Sequence, residues 1–154
     1  MKNTIFLTAL LLIFCACQNT EKSNQTDRNN TSKTASIEGT WELTSFYNYR
    51  DNKVVDSFTK RANFKQVKIY TPTKVMWSKK VPNDTTDWFG YGSYKINGDT
   101  LTETLNYGSK VMNEVIKDKV KFEYELLLEK DKFTQIELDE NGDRVYSENY
   151  TRIE

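Results

Sequence analysis

The most constraining feature of this sequence is a hairpin signal near its centre. Residues 97–99 read Asn-Gly-Asp and separate two runs rich in aromatic and β-branched residues, 88–96 and 100–108. Asn-Gly is a strong signal for a tight antiparallel turn, because both residues tolerate the positive φ angles that its central positions need. Gly90 and Gly92 interrupt the first run, so we expect a bend, a bulge or a close backbone contact there. This stretch predicts a curled antiparallel sheet.

The alternation of apolar and polar residues in this hairpin recurs along the rest of the chain. Strand-like patterns occupy residues 37–47, 54–58, 64–71, 73–79, 121–128, 133–138 and 144–153. A meander of this kind leaves an unpaired edge at each end unless the sheet closes on itself. We therefore predict an all-β fold, an up-and-down antiparallel β-barrel of about eight strands. A two-sheet sandwich is the alternative.

Strand alternation also predicts which side chains point into the barrel. In the first strand one face carries Trp41, Leu43, Ser45 and Tyr47. Around the turn at Pro72, the predicted shared face carries four apolar residues, Val67, Ile69, Val75 and Trp77. The later strand over residues 121–128 should turn Phe122, Tyr124, Leu126 and Leu128 inwards. Residues 110–120 have a faint helical period and are interpreted as either a short helix or an irregular loop.

The composition limits the chemistry that the chain can perform. It contains no histidine, which removes the commonest general base and metal ligand and any serine hydrolase triad. The two cysteines, Cys15 and Cys17, lie near the N-terminus, so the domain has no disulfide and no cysteine cluster for zinc. The 22 basic and 22 acidic residues balance, and no basic patch indicates nucleic-acid binding. We therefore expect a non-enzymatic protein with no cofactor, no metal and no nucleic-acid partner.

Two groups of carboxylates are interpreted as structural. Glu123 and Glu125 alternate with the apolar face, so they are assigned to a solvated outer surface rather than to a glycosidase pair. Residues 139–143 contain acidic side chains and a glycine but lack the full ligand series of a calcium loop. We interpret this segment as a turn.

The N-terminus resembles a bacterial lipoprotein signal. Lys2 precedes an apolar run over residues 5–14, which is too short to span a bilayer as a mature helix and fits a secretory signal. Ala16 and Cys17 then match the position where such a signal is cleaved and the cysteine is acylated. The alternative is an ordinary secretory peptide that leaves Cys17 as a free thiol. Gln18 resembles the pattern that permits export to an outer membrane.

These features divide the chain into three parts. Residues 1–16 are predicted to be the lipoprotein signal peptide. Residues 17–36 are polar and cannot bury enough apolar surface to order themselves, so we predict a disordered tether. Residues 37–154 form the predicted β-barrel domain. The expected location is the bacterial cell envelope, on a membrane to which the acylated cysteine binds.

The start of the domain resembles the lipocalin family. Gly39-Thr40-Trp41 is similar to the Gly-X-Trp signature of that family, in which the tryptophan plugs the closed end of the barrel and a late-strand arginine packs across it. Arg152 is the candidate for this arginine. Further similarity to small bacterial lipocalin-like lipoproteins covers residues 68–77, 92–104 and 121–124. The resemblance implies a calycin-type barrel and leaves the ligand open.

The aromatic residues of the domain predict a cavity for an apolar or planar ligand. Trp77, Tyr91 and Tyr124 are the expected ligand contacts, because they fall on strands that should pass the middle of the barrel. The predicted function is a monomeric, lipid-anchored envelope protein that holds a small hydrophobic or amphipathic molecule. The alternative is an envelope adaptor with a filled core that binds another protein through its surface.

The lipid on Cys17 can be tested by mass. We expect the protein extracted from membranes to begin at Cys17 and to carry acyl chains, because the polar tail starts directly after this residue. Intact-mass measurement of the extracted protein checks this. Cys17→Ser should move the protein out of the membrane fraction, and an unchanged mass and fractionation in that variant would exclude the anchor.

Overall fold

Antiparallel pairing closes the domain into a ring of strands. The structure, a computed structural model, describes residues 35–59 and 63–154. Its elements are β1 (Gly39–Arg50), β2 (Lys53–Thr59), β3 (Lys65–Tyr70), β4 (Lys74–Lys80), β5 (Trp88–Asn97), β6 (Thr100–Gly108), α1 (Lys110–Asp118), β7 (Lys121–Leu128), β8 (Lys132–Leu138) and β9 (Arg144–Arg152). The predicted signal peptide, Cys17 and most of the predicted tether lie outside the described residues. The helix that the described residues form lacks the length and apolar character that a membrane span requires.

The order of the strands confirms the predicted barrel. From β3 to β9 each strand pairs with the next one along the chain, and β9 pairs with β1. β1 also pairs with β3 through residues 39–42, which completes a ring of eight strands. β2 is the exception to the predicted meander. It pairs with residues 45–50 of β1 and flanks the ring instead of joining it.

The central hairpin forms as predicted, with one shift at its turn. Asn97 pairs with Thr100, so the turn residues are Gly98 and Asp99, and Asn97 ends β5. Gly98 has a φ of 61°, a conformation that glycine adopts without a Cβ penalty. The expected close contact is at Gly92, where a Cβ would lie 2.0 Å from the Thr104 carbonyl oxygen. The two strands therefore approach as closely as a glycine allows.

A bulge in β1 changes which of its side chains face inwards. Leu43 pairs with Tyr150 and Ser45 with Asn149, so Thr44 is an extra residue between the two pairs. Because one added residue reverses the alternation, the predicted shared face of Trp41, Leu43, Ser45 and Tyr47 is wrong beyond Leu43. Beyond the bulge, Phe46 faces inwards and stacks on Tyr146 and Phe58 at centroid distances of 5.1 and 5.0 Å.

Residues 110–118 form a helix rather than a loop. Ser109 caps it, because its hydroxyl accepts a hydrogen bond from the Met112 N–H at 3.4 Å. Met112 is the buried residue of α1 and packs where Gly108 leaves room, since a Cβ at Gly108 would lie 2.7 Å from the Met112 Cβ. The helix thus lies against β5 and β6.

The opposite end of the barrel is closed by Trp41. Its side chain is fully buried, donates from Nε1 to the Ile37 carbonyl at 2.7 Å and meets the Phe133 ring edge-on at 4.9 Å. The Arg152 guanidinium lies over the indole, 4.0 Å from the ring centroid. Aromatic packing on one side and a cation on the other leave no open space around the indole.

Hydrogen bonds hold Arg152 in this position. Its guanidinium donates to the carbonyl oxygens of Ser36, Glu38 and Lys130 at 2.6, 2.5 and 2.9 Å. Gly39 makes room for it, because a Cβ at Gly39 would lie 2.3 Å from Arg152 Nη1 and the residue has a φ of 132°. Arg152 therefore ties the start of the domain to its last strand.

This contact predicts a thermodynamic coupling. Arg152→Ala removes the stacking contact and the hydrogen bonds to carbonyls, and should lower the free energy of unfolding by about 1–3 kcal/mol. Trp41→Ala should lower it by about 3–5 kcal/mol, as for other large buried aromatic truncations. Because the two side chains touch, the double variant should lose less than the sum, as measured by denaturant unfolding.

The matched control is Arg144→Ala. Arg144 is an arginine of the same strand that pairs with the Glu125 carboxylate and lies away from Trp41. The decrease in the free energy of unfolding caused by Arg144→Ala should add to the decrease caused by Trp41→Ala. Strict additivity of Arg152→Ala and Trp41→Ala would show that the two side chains act independently.

Candidate ligand cavity

The polar side of β3 faces the inside of the barrel. Gln66, Lys68 and Tyr70 are buried, whereas Ile69 is exposed. The prediction that Val67 and Ile69 share a face with Val75 and Trp77 is therefore wrong, although Val75 and Trp77 do point inwards.

The turn between β3 and β4 explains this reversal. Tyr70 pairs with Val75, and Thr71 donates its N–H to the Lys74 carbonyl at 2.9 Å, which leaves a two-residue turn at Pro72 and Thr73. Even-numbered residues of β3 then share a face with odd-numbered residues of β4. A turn one residue longer would have put the apolar residues of β3 inside.

A buried ion pair crosses the interior from β3 to β6. Lys68 Nζ lies 2.8 Å from Glu103 Oε1, and the two side chains are only 3% and 2% exposed. Lys68 also donates to Gln135 Oε1 at 2.7 Å, and the Tyr70 hydroxyl donates to Glu103 Oε1 at 2.5 Å. Buried charges are tolerated only when they are paired and hydrogen-bonded. These contacts meet both conditions.

A second carboxylate, Glu148, lies beside this pair. It accepts hydrogen bonds from Gln66 Nε2 at 3.0 Å, from Gln135 Nε2 at 2.9 Å and from the Tyr150 hydroxyl at 2.7 Å. Gln135 thus links the two carboxylates, since its oxygen faces Lys68 and its nitrogen faces Glu148. Across residues 35–59 and 63–154, no buried side-chain nitrogen or oxygen is left without a hydrogen bond.

Above this network is a cavity of about 210 Å³. Polar and apolar residues line it, namely Gln66, Lys68, Trp77, Lys79, Trp88, Glu103, Leu105, Met112, Phe122, Tyr124, Gln135, Tyr146 and Glu148. We call Gln66, Lys68, Glu103, Gln135 and Glu148 the polar floor. The aromatic side chains and the two apolar residues Leu105 and Met112 form the walls.

Two of the three predicted ligand contacts line this cavity. Trp77 and Tyr124 do, but Tyr91 does not. Gly90 and Gly92 take the inward positions of β5, so Tyr91 points outwards and packs against Tyr107 at a centroid distance of 5.2 Å. The assignment of Tyr91 to the cavity is therefore corrected.

Gly90 makes room for one wall of the cavity, the Trp77 indole. A Cβ at this position would lie 2.8 Å from Trp77 Nε1 and 2.9 Å from Trp77 Cε2. The indole of Trp77 therefore lies flat over the backbone of β5, in space that any other residue would fill. Gly90 thus fixes where the indole lies in the wall.

The tyrosines around the polar floor are neutral at ordinary pH. Burial, followed by the charge of Glu103, raises the pKa of Tyr70 and of Tyr124 well above 10.0. The pKa of Tyr150 is raised by burial and by neighbouring Glu148, and that of Tyr146 by burial and its hydrogen bond to Glu137. A protonated hydroxyl can donate a hydrogen bond, so Tyr70, Tyr146 and Tyr150 stabilise the carboxylates of Glu103, Glu137 and Glu148 to which they donate.

The cavity offers binding groups more than reactive ones. The Lys68 amine is held in an ion pair, and the tyrosine hydroxyls keep their protons. Among the described residues, no group of three or more histidine, cysteine or acidic side chains is placed to hold a metal ion. Hydrogen bonding, charge and aromatic contact are what this arrangement supplies.

Sequence reasoning missed the polar floor, although a signal was present. Glu103 stands between Leu101 and Leu105 in the inward alternation of β6, and Glu148 stands between Tyr146 and Tyr150 in that of β9. A charged residue within an inward-facing row predicts either a partner across the barrel or a ligand.

Comparison with solved structures shows a similar fold. A lipocalin-like protein from Bacteroides uniformis ATCC 8492 aligns with a TM-score of 0.50 and 13% identity, over 76% of this chain and 98% of that one. An uncharacterized protein from Bacteroides eggerthii DSM 20697 aligns with a TM-score of 0.48 and 16% identity, over 76% and 99%. No protein-family model and no curated protein sequence matches the chain. The likeness to the Bacteroides uniformis protein confirms that the domain has a lipocalin-like β-barrel fold.

Proposed function

We propose that this protein is a non-enzymatic binding protein of the bacterial cell envelope that holds one small amphipathic molecule in its barrel. The observation that carries the proposal is the cavity between the polar floor and the aromatic walls. Ligand sites in proteins typically combine apolar walls with a few polar groups that orient the ligand. The lipocalin-like fold is consistent with this use.

The size of the cavity limits the ligand. A volume of about 210 Å³ equals that of about seven water molecules, at about 30 Å³ each. A ligand of about seven to ten non-hydrogen atoms fills such a space. A long acyl chain is too large to be enclosed in it.

The polar floor favours an amphipathic ligand over a hydrocarbon. Glu103 and Lys68 are almost fully buried, and the cavity is where their remaining surface meets solvent. A hydrocarbon ligand would exclude solvent from these polar groups without offering them hydrogen bonds in its place, which costs free energy. A ligand with one polar end avoids this cost while its apolar body contacts Trp77, Trp88 and Phe122.

The membrane location is a separate part of the proposal. It rests on the signal-like segment before Cys17 and the polar stretch that follows it. An acylated Cys17 would hold the protein on the envelope membrane, with the barrel as a monomer beside it. The outer membrane is the proposed site.

A second candidate function is binding to another envelope protein through the outer surface. Ile69, Met76, Tyr91 and Tyr107 pair in turn across β3 to β6 and form an apolar row on the outside of the barrel. Ile69, Met76 and Tyr107 are 41%, 45% and 53% exposed. Contiguous apolar surface of this kind is typical of interaction sites.

Variants on the two faces of the barrel separate these functions. We expect the purified full-length protein to bind at least one small amphiphile, such as benzylamine, benzyl alcohol or benzoate, with one site by isothermal titration calorimetry. Trp77→Ala removes an aromatic wall and should weaken binding about tenfold. Tyr91→Ala is the matched control on the outer face and should leave the affinity unchanged.

Two results would contradict ligand binding in the cavity. One is the absence of saturable binding for every compound, together with no small molecule retained in native mass spectrometry. The other is a loss of affinity in Tyr91→Ala as large as that in Trp77→Ala. Either result would favour the outer apolar row as the functional surface.

A further inference from the structure

Three polar atoms on the cavity surface have no hydrogen-bond partner among residues 35–59 and 63–154. Both hydrogen bonds of Glu103 end on Oε1, which leaves Oε2 free. Gln66 uses its Nε2 for Glu148 and Tyr150, which leaves its Oε1 free. Tyr124, only 9% exposed, makes no hydrogen bond through its hydroxyl to any described residue. Since no buried polar atom of the described residues is unpaired, these three atoms reach accessible space, and all three residues line the cavity. Tyr124 also lines a second pocket, beside Glu123 and Leu138.

The free atoms are mainly acceptors. A carboxylate oxygen and an amide oxygen can only accept hydrogen bonds, and a tyrosine hydroxyl can accept or donate. The orientation of the Gln66 amide follows from its neighbour, because only its nitrogen can face the Glu148 carboxylate at 3.0 Å. A ligand group that complements this surface therefore consists of donors.

The polar floor carries one more negative charge than positive charge. It contains the carboxylates of Glu103 and Glu148 but a single cation, Lys68. Lys68 is already bound to Glu103 and Gln135. The other cation of the lining, Lys79, pairs with Trp88 in the strand register, and its Nζ lies 5.9 Å from the Trp88 ring. No ion pair joins Lys79 to either floor carboxylate.

The walls suit a cation as well. Trp77, Trp88, Phe122 and Tyr124 present aromatic rings to the cavity. The face of an aromatic ring attracts a cation, most strongly where water is excluded. Lys68 already shows this geometry, with its Nζ 5.6 Å from the Tyr124 centroid.

We propose that the ligand is a small primary amine, bound as an ammonium ion with its N–H groups on the polar floor and an apolar body against the walls. An ammonium has three donors and no acceptor, which matches the free atoms of Glu103, Gln66 and Tyr124. Its charge balances the excess carboxylate. This inference rests on the proposed binding function and specifies the chemistry of its ligand.

Matched sets of compounds test the inference on the full-length protein. Benzylamine, benzyl alcohol and benzoate share one apolar body, and hexylamine, hexanol and hexanoate share another. We expect each amine to bind at least about tenfold more tightly than its alcohol by calorimetry, and each carboxylate to bind weakest. Equal or tighter binding of the alcohols or carboxylates would overturn the amine inference and leave the binding function standing. Binding by none of the six, together with no small molecule retained in native mass spectrometry, would overturn both.

Two variants identify the groups responsible. Glu103→Gln keeps the side-chain shape but removes the excess charge and replaces the free acceptor with a donor. It should abolish the preference of at least about tenfold for the amine while the alcohol binds as before. Because this change also takes the counter-ion from Lys68, Tyr124→Phe provides a second test that leaves the ion pair intact.

Tyr124→Phe should weaken amine binding about three- to tenfold, because it removes a single hydroxyl. Tyr94→Phe is its control: it makes the same change at the closed end, where the Tyr94 hydroxyl donates to the Thr71 carbonyl at 2.9 Å. It should leave binding unchanged. Amine affinity that survives both Tyr124→Phe and a folded Glu103→Gln would show that neither Glu103 nor the Tyr124 hydroxyl recognises the amine.

Discussion

The ion pair of Lys68 and Glu103 is the interaction on which the interior of this barrel depends. Desolvating two charges costs several kcal/mol for each ion, so the pair persists only because neighbouring groups complete its hydrogen bonds. Tyr70 and Gln135 supply those bonds, and Gln135 extends the network to Glu148. The middle of the barrel is therefore a polar layer, not a continuous apolar core.

The two ends of the barrel differ because this layer separates them. On one side Trp41 is sealed by Phe133 and Arg152, and the packing is tight. On the other side Gly90 contributes no side chain, and Trp77 lies across the gap that it leaves. Apolar side chains fill the interior at the Trp41 end, whereas a cavity remains at the Trp77 end. The cavity on the second side is bounded by charges below and by aromatic rings around.

Much of the fold can be predicted from the alternation of apolar and polar residues alone. The predictions that were wrong share a physical cause. The strand positions, the closure of the ring and the inward row of β7 follow from a period of two that is visible in the sequence. The predicted inward-facing side chains were wrong at two places where one residue reverses the alternation. These are the two-residue turn that follows β3 and the bulge at Thr44 in β1. Lys68 was missed for the same reason, since the expected register put it outside, whereas Glu103 and Glu148 stand in the inward rows of β6 and β9. Tyr91 was misplaced because its neighbouring glycines hide which face of β5 is inward.

A double-mutant cycle on the ion pair tests this account most directly. Lys68→Met and Glu103→Leu should each destabilise the protein by about 3–5 kcal/mol, because each leaves a buried charge without its partner. The double variant should recover much of that loss, since it removes both charges, and denaturant unfolding should give a coupling of at least about 2 kcal/mol. Additive losses, within about 0.5 kcal/mol, would show that the two charges do not meet inside the barrel.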